Sequence, residues 1–179
     1  MVDLTRSSKP NPAHVALAEL EKMGILKAII TQNIDNLHQE AGSLNVIEFH
    51  GNAHTLECVK CGEDYSVDDF RNERTIPACR ACGAILKPGV VFFGEVIPPD
   101  ALMESQMLAK SSDAILVIGT SAVVYPASGI PYVAKQNRAS VIEMNLESTG
   151  LTNSITDVFI QGRVGETLPR LLDEIRSMN

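Results

Sequence analysis

The sequence predicts an α/β fold: a parallel sheet whose strands alternate with helices, interrupted by a small cysteine-bearing ribbon. Three observations predict it. Short β-forming runs alternate with longer helical stretches, as βαβ units require. Several of those runs end on glycine or on polar residues able to bind and react, the placement seen where an open parallel sheet binds ligands beyond the carboxyl ends of its strands. All four cysteines fall in one segment, as the doubled pattern CxxCG.

Taken in order, residues 1–10 are polar and read as irregular. Asn11-Pro12 opens the first helix, because asparagine caps well and proline suits the first helical position. Val15, Leu17, Ala18 and Leu20 make the helix mostly apolar, and Gly24 is placed to end it. Residues 26–30 read as a strand buried on both faces. Residues 35–41 follow as a short helix stopped by Gly42, and 46–49 as the next strand. Between these runs lies the stretch that carries the chemistry, TQNIDNLHQEAGSLNVIEFHGN over 31–52. Gln32, Asn33 and Asp35 follow one strand, and His50 and Asn52 follow the other. Two neighbouring strands ending this way aim an amide, a carboxylate and an imidazole into one crevice. Either segment alone reads better as a helix cap or a loop; their proximity reverses that preference in favour of a site.

Residues 55–87 break the alternation. Cys58-Val59-Lys60-Cys61 and Cys79-Arg80-Ala81-Cys82 are separated by seventeen residues, and Gly62 and Gly83 each follow a pair. This spacing is a zinc signature, and four thiolates complete a tetrahedron with no position left for water, so the metal is structural. Two disulfides or four buried thiols are the other readings of the cysteines; a cytoplasmic chain disfavours the first.

The main domain resumes at 87–95, KPGVVFFGE. It reads either as a buried strand, the preferred assignment on local pattern, or as an extended edge where a peptide lies alongside, with Gly94 permitting close approach. Pro98-Pro99-Asp100 introduces a helix to about Lys110. Residues 114–118, AILVI, read as the clearest buried strand in the chain. They lead into Gly119-Thr120-Ser121, a turn whose N–H groups suit a phosphate. A helix over 129–136, strands over 140–144 and 157–160, and a closing helix over 167–178 complete the chain, with Leu168, Leu171, Leu172 and Ile175 on one face.

Composition narrows the functions. The 179 residues are 45% hydrophobic and 21% charged, with a net charge of −7. A nucleic-acid footprint needs a clustered basic face, and this net charge argues against one. No apolar run approaches the ~18 residues of a membrane span. The first residues, MVDLTRSSKPNPAH, contain no apolar signal core. The expected location is the cytoplasm.

Seven segments together resemble the sirtuins, NAD-dependent protein-lysine deacylases: TQNIDNLH (31–38), FHGN (49–52), the two CxxC pairs, VVFFGE (90–95), GTSAVVYPA (119–127) and NLE (145–147). They occur in family order and cover nearly the whole chain from Lys9, and VVYPA resembles prokaryotic members most. The resemblance implies a Rossmann-like doubly wound sheet, formed by 1–54 and 88–179, with residues 55–87 as the zinc-ribbon insertion. It implies that Gln32 and Asn33 hold the cofactor ribose, that Ile34 and Asp35 line the nicotinamide pocket, and that His50 is the general base. It further implies that Val91, Phe92 and Gly94 line the acyl-lysine tunnel, and that Gly119, Thr120 and Ser121 meet the phosphate and ribose region. Asn145 would meet the adenosine ribose, and Gly162 and Val164 would lie near the adenine. Cys58, Cys61, Cys79 and Cys82 would hold structural zinc.

In the implied reaction the acyl oxygen attacks the ribose carbon as nicotinamide leaves. His50 takes a ribose hydroxyl proton, lysine is freed, and the acyl group leaves on ADP-ribose. The partner implied is an acyl-lysine protein or peptide. Full members carry, before the equivalent of Lys9, a first strand, a glycine-rich turn of GAGIS type and a PDFR-type cofactor loop. None of these is in this sequence, which therefore reads as a member lacking the N-terminal segment, its first strand missing, and is expected to be a poor deacylase alone. The alternatives are a catalytically incomplete fragment or a zinc-bearing peptide-binding module. A different nucleotide enzyme with an inserted ribbon is disfavoured by the FHGN and QNID pair.

Overall fold

Helix α1 (Pro12–Lys22) starts where the sequence predicts. The Asn11 side-chain oxygen accepts from the N–H groups of Ala13 (2.9 Å) and His14 (3.2 Å), and His14 Nδ1 accepts from the Asn11 N–H in return. This reciprocal cap satisfies donors that a helix start otherwise leaves orphaned. The computed structural model describes residues 8–70 and 75–178, so the irregular reading of 1–7 lies outside the described residues. Gly24, at φ +72°, closes the helix as expected.

Strand β1 (Ile29–Thr31) begins later than the predicted 26–30, for a local reason: the amides of Ile25 and Leu26 both donate to the Leu20 carbonyl and belong to the end of α1. The short helix α2 (Leu37–Glu40) and strand β2 (Val46–Glu48) follow. β1 and β2 pair in parallel, Ile29 opposite Val46 and Thr31 opposite Glu48. A three-stranded antiparallel sheet comes next, with β3 (Gly51–Cys58) between β4 (Asp64–Ser66) and β5 (Leu86–Val90), and a 3₁₀ turn over Val67–Phe70. Helix α3 (Pro99–Ser111) leads to β6 (Ala114–Ile118), helix α4 (Ile130–Gln136) to β7 (Ser140–Asn145), and β8 (Val158–Gln161) to the closing helix α5 (Val164–Ser177). β6, β7 and β8 form a second parallel sheet in that order.

Side-chain parity shows that the parallel strands are covered on both faces. Ile29, Leu116, Ile118 and Met144 pack with Leu17 and Leu20 of α1 and Leu168 and Leu172 of α5. Ile30 and Ile115, one residue out of phase, pack instead with Ala109 of α3 and with Ile130 and Ala134 of α4. Each fully buried leucine contributes roughly 1.5–3 kcal/mol, so these two layers hold the strand ends in place. The predicted doubly wound α/β class is the observed one.

Two expectations are corrected. AILVI is not the most buried strand: only Val117 is fully buried, because β6 is the end strand of its sheet, whereas Val141, Glu143 and Met144 of β7 lie at its centre. The preferred buried-strand assignment for 87–95 also fails. β5 stops at Val90, and Phe92 and Phe93 are 52% and 102% exposed. The Phe92 carbonyl accepts from Glu95 N–H while the Glu95 carboxylate accepts from Phe92 N–H, so the segment turns outward rather than entering the core.

Candidate functional site

The ends of β1 and β2 are stitched together. Phe49 N–H donates to the Thr31 carbonyl (2.9 Å), Ala53 N–H to the Ile34 carbonyl (3.0 Å), and Asn33 N–H to Thr31 Oγ1 (3.1 Å). Phe49 is completely buried, and its ring meets the His50 ring edge-on at 5.6 Å. His50 Nδ1 lies 3.3 Å from the Gln32 carbonyl oxygen. A carbonyl only accepts, so this contact places the ring proton on Nδ1 and leaves Nε2 with a free lone pair. The His50 carbonyl in turn accepts from Val91 N–H at 2.9 Å. One short path of hydrogen bonds therefore joins Gln32, His50 and Val91. Asp35 Oδ1 accepts from Leu37 N–H and starts α2, so its carboxylate is held by the backbone.

Gly51 makes the tight passage from His50 into β3 possible. It adopts φ +74°, and a Cβ there would stand 2.0 Å from the Gly89 carbonyl oxygen. The segment 91–94 starts beside this crossing: Val91 is partly buried against the α3–α4 layer, Phe92 is half exposed, and Gly94 adopts φ +89° with no atom within 4 Å of a Cβ position.

The ends of β6, β7 and β8 form a second laced group. Gly119 N–H donates to the Met144 carbonyl, Gly162 N–H to the Asn145 carbonyl, Asn145 Nδ2 to the Thr120 carbonyl (2.8 Å) and Gln161 Nε2 to the Leu146 carbonyl (2.9 Å). Gly119 adopts φ +58° with open space where a Cβ would be, so a ligand has room against the backbone of this turn. Thr120 Oγ1 accepts from Ala122 N–H, and Ser121 lies between them on the exposed rim. Val164 is the first residue of α5 and packs against the α1 layer. The Asn145 side chain is bonded to Thr120 and to the Leu146 N–H, which makes it a brace of the crevice. Among the described residues no hydrogen bond joins this group to the His50 group.

The four cysteines come together. All four sulfurs lie within 4.8 Å of one another, and none is in a disulfide. Cys58 and Cys82 Sγ are 3.5 Å apart, Cys61 and Cys79 Sγ 3.6 Å. A tetrahedral zinc with Zn–S near 2.3 Å sets its sulfurs about 3.8 Å apart, so these donors fit that ion. Each pair forms the same knuckle: Gly62 N–H donates to the Cys58 carbonyl and Gly83 N–H to the Cys79 carbonyl, with φ near +70° at both glycines. The Tyr65 hydroxyl, 3.2 Å from Cys79 Sγ, is the main cause that lowers the Cys79 thiol to about 6. At Cys61 the Glu63 backbone N–H favours the thiolate, but crowding by the sulfurs of Cys58, Cys82 and Cys79 outweighs it and pushes the thiol up to about 12. Crowded sulfurs of this kind resist joint ionisation until a cation binds them.

Sequence reasoning passed over one brace of the site. The Glu48 carboxylate accepts from Gln39 Nε2 (2.6 Å) and, at short range, from Asn52 Nδ2, while Asn52 Oδ1 accepts from His54 N–H. The group ties α2 to the chain after His50. Its only sequence signal is a charged residue inside the apolar run VIEF.

The model of the Sir2 family matches residues 1–126. The NAD-dependent protein deacylase of Thermococcus kodakarensis is 50% identical over 177 residues, which cover 96% of this chain and 68% of that protein. A solved Sir2 homologue in complex with NAD superposes with a TM-score of 0.90 at 43% identity, covering 95% of this chain and 66% of that one. A Sir2 enzyme solved with a p53 peptide and NAD+ gives 0.88 at 39% identity, covering 97% and 73%.

Proposed function

The chain belongs to the Sir2 family, and from that membership and its own geometry we propose that it is an NAD-dependent protein-lysine deacylase that releases nicotinamide and O-acyl-ADP-ribose. The observation that carries the proposal is the path Gln32–His50–Val91, which sets a base with a free Nε2 between a cofactor segment and a substrate segment. NAD, when bound, supplies a ribose carbon that receives the acyl group as nicotinamide departs. The chain's own part is positional and protolytic. His50 Nε2 takes a ribose hydroxyl proton, and the Gln32 carbonyl holds the ring in the tautomer that can do so. Gln32, Asn33, Ile34 and Asp35 receive the nicotinamide-riboside half. Gly119, Thr120, Ser121, Asn145, Gly162 and Val164 receive the adenosine half. Val91, Phe92 and Gly94 receive the acyl-lysine and its backbone, and the exposure of Phe92 and Phe93 suits a segment that a peptide covers.

The four cysteines are positioned to hold zinc, which closes the ribbon and takes no part in the chemistry. The proposal assigns 55–87 to the ribbon and 1–54 with 88–179 to the nucleotide domain. It includes an acyl-lysine protein as partner and a cytoplasmic location, supported by four cysteines that form no disulfide, with no nucleic-acid partner, supported by the net charge of −7. The proposal also expects no membrane association; no helix among the described residues is long and apolar enough to cross a membrane.

The test is nicotinamide release from NAD with an acetyl-lysine peptide. Release that depends on both the peptide and His50 is expected; a chain that binds peptide without consuming NAD would instead be the zinc-bearing peptide-binding module.

A further inference from the structure

The loop between β7 and β8 has neither helix nor strand over 146–157, yet one buried carboxylate organises it. Glu143, 1% exposed in the middle of β7, accepts from Thr149 Oγ1 on Oε1 (2.6 Å) and from Thr152 Oγ1 (2.6 Å) and Thr156 Oγ1 (2.9 Å) on Oε2. The hydroxyls also fold the loop on itself: Leu151 N–H donates to Thr149 Oγ1, and Thr149 N–H to Thr152 Oγ1. Leu151, buried beside Val117 and Val141, pins the loop to the sheet. No cation pairs with this carboxylate in these contacts; hydroxyl donors alone satisfy it.

A buried charge is a poor way to gain stability, since an apolar residue of similar volume does as well or better. What the charge does provide is a fixed geometry, because three separated hydroxyls must converge on two oxygens. That geometry bears on the crevice. Glu143 and Asn145 are two residues apart on one strand and so share a face. Asn145 and Leu146, where the loop departs, are the residues bonded to Thr120 and Gln161 at the neighbouring strand ends.

We propose that Glu143 is a positioning residue for the cofactor: its carboxylate gathers Thr149, Thr152 and Thr156 and so fixes the Asn145–Leu146 corner against which the adenosine half of NAD binds. The inference rests on the NAD-dependent reading above, and its role is exerted through Asn145 rather than by contact with reacting atoms.

The experiment compares Glu143→Gln and Thr156→Val with the wild-type chain, all zinc-loaded. It measures kcat, the KM values for NAD and for acetyl-lysine peptide, and NAD binding by titration calorimetry. Hydrogen bonds to a charged acceptor are the stronger ones, so Glu143→Gln is expected to raise the NAD KM and Kd about tenfold or more. Thr156→Val, which removes one donor, keeps the β-branched shape and leaves Thr149 and Thr152 on the carboxylate, should raise them less, about threefold. kcat and the peptide KM should stay within about twofold, and amide exchange over 146–156 should accelerate in both variants. Folded variants with unchanged NAD affinity would overturn the proposal, as would equal changes in all three kinetic parameters. Should Glu143→Gln fail to fold, Thr156→Val decides by the same criteria. A wild-type chain that binds NAD without deacylating defeats the functional reading and leaves this test intact through Kd; a wild-type chain that binds no NAD overturns both.

Discussion

The cysteine ribbon and the strand-end crevice are built by opposite means. In the ribbon, two turns of four residues each present two sulfurs, and the small core beneath them is Leu56, Phe70 and Leu86 with the buried Cys58 and Cys79. The antiparallel pairing of β3 with β4 and β5 ties the two turns together, and the spacing of the sulfurs is completed by what they bind. In the crevice, residues from 32 to 164 are placed by five strand ends and two helical layers, and the backbone itself makes most of the connections. One region is encoded by spacing and completed by a metal; the other is encoded by a sheet and completed by packing. The two meet at Gly51 and Gly89, where β3 crosses β5 directly after His50.

The largest predicted effect breaks the ribbon alone. Cys79→Ala removes one of four ligands, and structural zinc contributes on the order of 10 kcal/mol of folding free energy in small domains. Metal analysis should fall from one zinc per chain to nearly none, and amide protection should disappear over 55–87 while β7 keeps its own. Loss of protection in β7 at the same rate would mean that the two regions are one cooperative unit and that the contrast is false.

Next in size is a change confined to the crevice. His50→Ala should lower deacylation by ~10²–10⁴-fold, about 2.7–5.4 kcal/mol of transition-state stabilisation, with zinc content and NAD affinity nearly unchanged. A variant retaining half the wild-type rate would remove His50 from the base role.

The joint between the regions gives a third measurement. Gly51→Ala puts a Cβ 2.0 Å from a backbone oxygen at φ +74°. Neither atom is the end of a flexible side chain, so β3 and β5 must separate, at a cost of about 2–3 kcal/mol. Because Val91 N–H is bonded to the His50 carbonyl just beyond the crossing, turnover should fall along with melting temperature. A stability loss without an activity loss would show that the ribbon does not set the position of His50.

This contrast also explains what was legible in the sequence. The zinc ligands are visible as spacing because each knuckle is local. Strand ends were visible as apolar runs closing on Asn33, His50, Gly119 and Asn145, since strand termination and site chemistry coincide there. Burial is not legible where it depends on a neighbour. AILVI is apolar enough for a central strand, but β6 lies at the end of its sheet. VVFF turns outward because Glu95 caps the Phe92 turn, a contact that composition does not display. Leu26 belongs to an apolar run that suits a strand, but its amide closes a helix. Glu143 was least visible of all: its partners lie six, nine and thirteen residues away, at no repeating interval.

The smallest effect concerns the support behind Asp35. His14 of α1 and His38 of α2 face each other with ring centroids 4.8 Å apart, and buried His38 Nδ1 has no partner. Burial lowers the pKa of both rings, their mutual repulsion lowers His38 further, and the attraction of Asp35 opposes this without reversing it. His14 Nδ1 also accepts the Asn11 N–H, which a protonated ring cannot do. The folded pKa values thus lie below the unfolded value of ~6.5, so below that pH the unfolded chain binds more protons. Stability from this pair is complete above about pH 6.5 and is lost as pH falls through 6.5 toward the folded values. The lowered carboxylates of Glu19, Glu95 and Asp157 act in the same direction but only at lower pH, through and below about 4. Between pH 7.5 and 5.5 the melting temperature of zinc-loaded protein should therefore decline by a few degrees, with the metal holding Cys79 out of the titration. His14→Gln, which keeps an acceptor for the cap, and His38→Phe, which fills the same space, should each flatten that slope. A slope that both variants leave unchanged would place the titrating group elsewhere and separate α1 from the support of the crevice.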